Sequence, residues 1–190
     1  MIFRMNAPVG TPNSFTTERL IVRRTEPGDG QLVSEAILES WDLLFKYAPW
    51  AKDRENHTPE KEEACSPDFI RRYEERTDFI MSVIEKSSGH FLGRVELYGA
   101  EWENRTMNVG YWFRQSAQGK RYASEAVTGL VAFAFDFLNA SKLNAVWKSD
   151  NAPSGKILTR LGFSQTGLQK GLTDPKTGSQ YDEYSCSLTR

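Results

Sequence analysis

The run Gln118-Gly119-Lys120-Arg121-Tyr122-Ala123, set directly before a long apolar stretch, is the part of this sequence best equipped to hold an anion. A loop of this kind presents main-chain N–H groups at a helix N-terminus, where the helix dipole carries partial positive charge. Gly119 and Ala123 are small enough to let a phosphate approach the backbone, and Lys120 and Arg121 add charge. Downstream, Ala123, Ala126, Val127, Leu130, Val131, Ala134, Phe135 and Leu138 recur at steps of three and four, one continuous helical stripe. The combination points to a ligand bearing a pyrophosphate. Two other phosphate-binding patterns are excluded: no GxxxxGK followed by Ser or Thr occurs, and no GxGxxG follows an early strand.

The elements that must position this loop are read from periodicity and punctuation. Residues 19–24 (RLIVRR) predict a first strand, and Asp29 in the turn Pro27-Gly28-Asp29-Gly30 predicts an N-cap for a helix through Leu32, Val33, Ala36 and Ile37. An aromatic segment runs from Trp41 to Trp50. Ser66-Pro67-Asp68 predicts the start of another helix, because Pro is welcome at the first helical position. Three runs, Phe79–Glu85, Phe91–Tyr98 and Thr106–Phe113, have short polar breaks and predict an antiparallel meander. After the loop and its helix come a strand Ala145–Ser149, a helix Pro153–Leu161, and strands Phe163–Gln169 and Tyr181–Leu188 with a turn at Asp174–Gly178 between them. The fold class is therefore α+β, or mixed α/β, with a β–α–β crossover in the second half. Residues 1–14, with Pro8, Gly10 and Pro12, are expected to form a flexible arm, and residues 15–190 a single domain.

Composition narrows the function classes. A net charge of −1 over 190 residues argues against a broad basic face for nucleic acid. With 39% hydrophobic and 12% aromatic residues the chain is globular rather than disordered. Cys65 and Cys186 stand alone, without the spacing of a zinc site or disulfide framework, and fit a reducing cytosol. No stretch reaches membrane-spanning length and the N-terminus lacks an apolar signal segment, so a soluble, cytoplasmic protein without metal is expected.

Gln118, Gly119, Tyr122 and Ala123 fall into the register of the acetyl-CoA loop of the GNAT superfamily, Gln/Arg-x-x-Gly-x-Gly/Ala, with Arg121 where that motif normally has Gly. Upstream, residues 104–112 (NRTMNVGYW) resemble the strand that precedes this loop in the ribosomal-protein N-acetyltransferase branch of the superfamily (RimJ/RimL type). Downstream, Asp150-Asn151-Ala152-Pro153-Ser154 and Leu158-Thr159-Arg160-Leu161-Gly162-Phe163 resemble the branch pattern Asn-x-x-Ser followed by Leu-x-x-Leu-Gly-Phe. Thr17-Glu18-Arg19-Leu20 and the tail from Gly178 to Tyr184 also fit, so the resemblance covers roughly residues 16–188. It implies the acyl-CoA N-acyltransferase fold, a mixed, mostly antiparallel sheet flanked by helices.

The resemblance implies acetyl transfer from acetyl-CoA to a primary amine in one ternary complex. The strand Asn108–Phe113 would present main-chain N–H groups to the thioester and pantetheine through Tyr111, Trp112 and Phe113, with Gly110 expected at a bulge. Lys120 and Arg121, with Gln118, Gly119, Tyr122 and Ala123, would take the pyrophosphate. Ser154 would assist the leaving thiolate with Asn151 as positioning partner, although Asn151 is equally a good helix cap. Many relatives carry Glu where this chain has Asn108; Glu96, expected on a face shared with Leu92, Arg94 and Tyr98, is the replacement base, with a water chain as the alternative. Trp41 and Trp50 would line the acceptor cleft. The acceptor is then a protein or peptide N-terminus, or a small amine such as a polyamine, aminoglycoside or amino acid. A non-catalytic acyl-CoA-binding module is the reading from another class. Exposed aromatics and the final strand are compatible with a homodimer.

Overall fold

A computed structural model describes residues 10–190 of the chain. Eight strands and five α-helices follow in order among them. The strands are β1 (Ser14–Thr16), β2 (Leu20–Arg24), β3 (Phe79–Glu85), β4 (Phe91–Glu101), β5 (Thr106–Phe113), β6 (Lys142–Lys148), β7 (Ser164–Thr173) and β8 (Gln180–Thr189). The helices are α1 (Gly30–Glu39), α2 (Trp41–Tyr47), α3 (Pro59–Glu75), α4 (Tyr122–Asp136) and α5 (Ala152–Arg160). All eight strands join one sheet in the order β1-β2-β3-β4-β5-β6-β8-β7. Neighbours are antiparallel except β5 and β6, which α4 connects as a crossover. A parallel pair needs such a connection because the chain must return to the same end of the sheet.

The apolar stripe of α4 dictates where it lies. Ala126, Val127, Leu130, Phe133 and Ala134 are buried against Val22, Phe79, Val95, Leu97 and Val109 on one face of the sheet. The other face carries a smaller cluster of Val33, Ala36, Ile37, Leu44, Ala51 and Phe91, with Trp41 and Trp112 packed against it. Alternation along β5 serves both clusters: Met107, Val109 and Phe113 belong to the first, Trp112 to the second. One feature of the sheet positions everything below. β5 and β6 pair only at Thr106↔Lys142, Met107↔Leu143 and Asn108↔Asn144. Past Asn108 they part, while β5 stays paired to β4 as far as Phe113 and β6 to β8 as far as Lys148.

Several expectations are corrected. α3 begins at Pro59, not at Ser66-Pro67: Thr58 accepts the Lys61 N–H at 3.3 Å through Oγ1, and Pro59 fills the first turn. Thr-Pro carries the same start chemistry as Ser-Pro, and Pro67 is tolerated inside at the loss of one backbone bond. Residues 1–9 of the expected arm lie outside the described residues. The rest of it is held: the Asn13 carbonyl accepts the Arg24 N–H at 2.8 Å, Pro12 accepts the Tyr73 hydroxyl at 2.6 Å, and Ser14 opens β1. Gly110 is not a bulge, since the β4–β5 register runs unbroken from Gly93↔Phe113 to Tyr98↔Asn108. The β4–β5 ladder shifts instead between Tyr98↔Asn108 and Glu101↔Thr106. A second shift, between Val83↔Gly93 and Ile84↔Phe91, turns Leu92 into the α4-side core rather than onto the face of Arg94 and Glu96.

Asp29 stands at the N-cap position of α1 without capping it. Its carboxylate is held by Arg23 at 2.6 and 2.9 Å, by the Ser82 hydroxyl at 3.1 Å and by the Glu26 N–H at 3.1 Å. Burial pushes its pKa up, but these partners outweigh burial and leave it below the usual carboxylate range. A depressed pKa gives stability that is present above the unfolded value and lost as pH falls through the folded one. Asp29→Ala should therefore cost about 3 kcal/mol at pH 7 in urea unfolding. The gap to the parent should narrow below about pH 4.

Candidate active site

The expected anion loop is a tight series of turns. A single 3-10 turn at Gln115–Ala117 leads to Gly119 at φ 75° and Arg121 at φ 65°, and α4 begins at Tyr122. The first backbone bond closing the helix is Glu125 N–H to Arg121 carbonyl at 3.1 Å. Among the described residues, no main-chain N–H from Gly119 to Ser124 donates to another backbone group. This is the cradle an anion requires. Arg121 holds a left-handed conformation that glycine adopts freely, which accounts for the glycine in the general motif. Its exposed side chain makes no ion pair among the described residues.

The loop is bolted to the rest of the fold through Glu125. Its carboxylate takes the Thr17 hydroxyl at 2.5 Å, the Arg19 N–H at 2.8 Å and Arg19 Nε at 2.7 Å. Arg19 also donates to the Lys120 carbonyl at 3.1 Å and lies 4.5 Å over the Tyr122 ring. The Thr17-Glu18-Arg19-Leu20 motif thus acts as a clamp on the first turn of α4. The Tyr122 side chain points away from the cradle, buried, with its hydroxyl on Glu85. Ala123 packs against the core. These two residues offer the loop only their main chain.

The parting of β5 and β6 brings the other expected residues together. On the α1 face, Glu96 of β4 lies directly across from Gly110. A Cβ at Gly110 would collide with Glu96 Oε1 and come 2.8 Å from its Cγ, so the missing side chain makes room for this carboxylate. Burial pushes the Glu96 pKa up, with Asp78 adding to the rise and nearby Arg94 opposing it. Arg94 itself is buried, 4.9 Å over the Phe69 ring, and its Nε and Nη2 make no hydrogen bond. The Asn108 side-chain amide donates to the Tyr98 carbonyl at 3.2 Å.

On the α4 face, the Tyr111 hydroxyl lies 2.8 Å from Ser154 Oγ and 3.1 Å from the Ser154 carbonyl. Asn151 caps α5, its Oδ1 accepting the Ser154 N–H at 3.4 Å. A Cβ on Gly155 would sit 2.6 Å from Trp147 Nε1, so the glycine lets the first turn of α5 press onto the Trp147 indole. Trp147 in turn stacks on Tyr184 at 5.1 Å. Trp112 and Phe113 face the aromatic cluster and the core respectively, and toward the parting they present main chain only.

Trp41 and Trp50 meet around His57, with ring centroids 5.5 and 5.6 Å from it, and Trp50 also contacts Trp112 at 5.9 Å. His57 Nδ1 lies 2.7 Å from Glu62 Oε1, both side chains nearly buried. Sequence reasoning did not assign His57 and Glu62: the two are near neighbours in the chain, but their place beside Trp41 and Trp50 depends on how α2 and α3 dock. Beyond this wall the β7–β8 hairpin closes on α2. Lys176 donates to the Ala48 carbonyl at 2.9 Å and to that of Phe45, and Lys148 donates to the Lys46 carbonyl at 2.8 Å while pairing with Asp174 at 2.6 Å. Two ammoniums thus cap the negative end of α2. A groove of about 190 Å³ remains beside them, lined by Phe45, Asp150, Asp174, Gln180 and Tyr181 among others.

Among the described residues, no group of three or more His, Cys, Asp or Glu side chains is arranged to hold a metal ion. No helix among the described residues is long and apolar enough to cross a membrane.

Known proteins carry the same architecture. The acetyltransferase (GNAT) domain profile matches residues 19–164. The uncharacterized N-acetyltransferase p20 of Bacillus licheniformis is 29% identical over 180 residues, covering 92% of this chain and 94% of that protein. The ribosomal protein uS5-alanine N-acetyltransferase of Escherichia coli is 26% identical, over 88% of this chain and 85% of its own. The structure of RimL, a ribosomal L7/L12 α-N-protein acetyltransferase in complex with coenzyme A, has the same fold. Its TM-score is 0.82 at 16% identity, over 94% of this chain and 97% of that one.

Relief of the left-handed Arg121 backbone is directly measurable. Arg121→Gly should raise the stability of the free protein by about 1 kcal/mol in thermal or urea unfolding. The same substitution at Lys120, outside the left-handed region, should instead be neutral or destabilising.

Proposed function

Because the chain belongs to the GNAT acetyltransferase family and is an acetyl-CoA-dependent N-acetyltransferase, we propose that it acetylates the N-terminal α-amine of a protein or peptide by direct attack. One observation carries the proposal. Glu96 and Ser154 stand on opposite faces of the sheet, on either side of the place where β5 leaves β6. Bound there, acetyl-CoA supplies the activated acetyl carbon and a thiol leaving group.

Each need of the reaction then has a residue. The cradle from Gly119 to Ser124, with Lys120 and Arg121, binds the pyrophosphate, and Gln118 leads the chain into it. The edge of β5 from Val109 to Phe113, free of β6, pairs with the amides of the pantetheine arm. Glu96 takes the proton of the attacking amine. Its raised pKa keeps it basic enough to do so, and a peptide α-amine with a pKa near about 8 is deprotonated without a strong base. Ser154 hydrogen-bonds the departing sulfur, with Asn151 fixing the turn that carries it. Trp41 and Trp50 form the wall of the acceptor cleft. The groove between α2 and the β7–β8 hairpin takes the residues that follow the amine. The name of the Escherichia coli relative supports a protein acceptor over a small one.

Glu96→Gln should lower kcat/KM about 100-fold and remove the acid limb of its pH profile. In the parent, activity should fall as pH drops through the Glu96 pKa, above the ordinary value of about 4.3. An unchanged profile would exclude Glu96 as the base. Peptides with different first residues, run beside polyamines, aminoglycosides and amino acids in a thiol-release assay, decide the acceptor. Faster turnover of the small amines would replace the peptide reading, and calorimetric binding of CoA with no turnover would replace catalysis altogether. Arg121→Gly should weaken that CoA binding about threefold or more if the guanidinium clasps phosphate.

A further inference from the structure

The Tyr111–Ser154 contact joins the two halves of the sheet across the parting. Tyr111 belongs to β5, and Ser154 to the first turn of α5 beyond β6. The Tyr111 ring packs against the main core, so its hydroxyl is held by everything the core holds. Ser154 is the opposite case. Its backbone is fixed by the Asn151 cap, with its N–H 3.1 Å from the Asn151 carbonyl and 3.4 Å from Oδ1. Its hydroxyl, however, can occupy three rotamers. In an ordinary first turn such a hydroxyl often turns back onto nearby backbone groups.

We infer that Tyr111 is a positioning residue for Ser154: by donating its hydroxyl proton to Ser154 Oγ it leaves the serine proton free to point at the leaving sulfur. This inference rests on the proposed role of Ser154. The 2.8 Å contact to Oγ is shorter than the 3.1 Å contact to the carbonyl, and one phenol proton cannot fully serve both. When Tyr111 donates to Oγ, the serine oxygen accepts from the core side and donates toward the parting. When the C–S bond breaks, the electron pair stays on sulfur and the amine proton goes to Glu96; no proton has to leave Tyr111. Burial pushes the Tyr111 pKa up to about 12, which keeps the phenol protonated and a donor throughout. A hydrogen bond polarised by a second one behind it is the stronger donor.

A double-mutant cycle tests this, with acetyl-CoA as donor, an alanine-initiated hexapeptide as acceptor and thiol release as the readout. Tyr111→Phe, which keeps the ring in the core, should lower kcat about tenfold with KM for acetyl-CoA within about twofold. Ser154→Ala should lower kcat about 100-fold, and the double variant should be no slower than Ser154→Ala alone. Fluorotyrosine at position 111 keeps the hydroxyl and should restore parent turnover. An equal Tyr111→Phe loss in both backgrounds, or none in the parent while Ser154→Ala is impaired, overturns the positioning role alone. A Ser154→Ala variant with parent turnover overturns it too, and places the fault in the functional reading. If the hexapeptide is inert, that reading of the acceptor fails, and the same cycle is run on acetyl-CoA hydrolysis.

Discussion

The separation of β5 from β6 after Asn108 is the constraint on which the rest of the structure depends. Two strands that begin as a parallel pair normally stay paired, because each abandoned hydrogen bond leaves a main-chain donor or acceptor to be satisfied otherwise. Here the separation is enforced from both sides. β5 is tied to β4 without a break from Asn108 to Phe113 and pressed by α4, while β6 follows β8, with Trp147 trapped between Tyr184 and the first turn of α5. The facing strand edges form a polar slot with one rigid wall per half. Such a slot suits an extended ligand with amides of its own, and the Tyr111–Ser154 contact spans it.

Charge placement follows the same division. The exposed pairs of α3, Arg71 with Asp68 and Glu75, contribute little, since solvent screens them and two long side chains must be ordered. The enclosed groups matter more. Glu125 collects Thr17 and Arg19 and so holds the first turn of α4, where the loop ends. Asp29 joins β2, β3 and α1 through Arg23 and Ser82. Glu96 and Arg94 occupy one face of β4 without an ion pair between them within 4 Å, so burial prevails over attraction and the carboxylate is left basic. A close pair would have silenced it.

The likeness to the GNAT pattern was legible because it lies in short local signals: a small residue where the loop turns, a stripe of threes and fours behind it, an Asn-x-x-Ser cap. The fold class follows from the same signals, since an apolar helix between two strands demands a crossover. Where the reading went astray, the competing signal was also local and equally good. Thr58-Pro59 and Ser66-Pro67 are both sound helix starts, and only the burial of Glu62 and Tyr73 on one continuous helix chooses the first. Gly110 resembled a bulge because a strand glycine often marks one; its actual service is to leave space for a side chain on the neighbouring strand.

From the chain alone came the identity of the groups: which residue types stand where, how the backbone must turn at Gly119, which faces of helices are apolar, and which family's motifs recur in order. Those are matters of neighbours a few residues apart, and covalent spacing settles them. Which groups face one another is different. His57 beside Trp41 and Trp50, Glu96 over Gly110, and Tyr111 against Ser154 unite residues far apart in the chain or on separate elements. Their meeting depends on strand register and helix docking. A one-residue slip of register would turn each side chain to the opposite face, so the packing of the whole sheet had to be known before the site could be assembled.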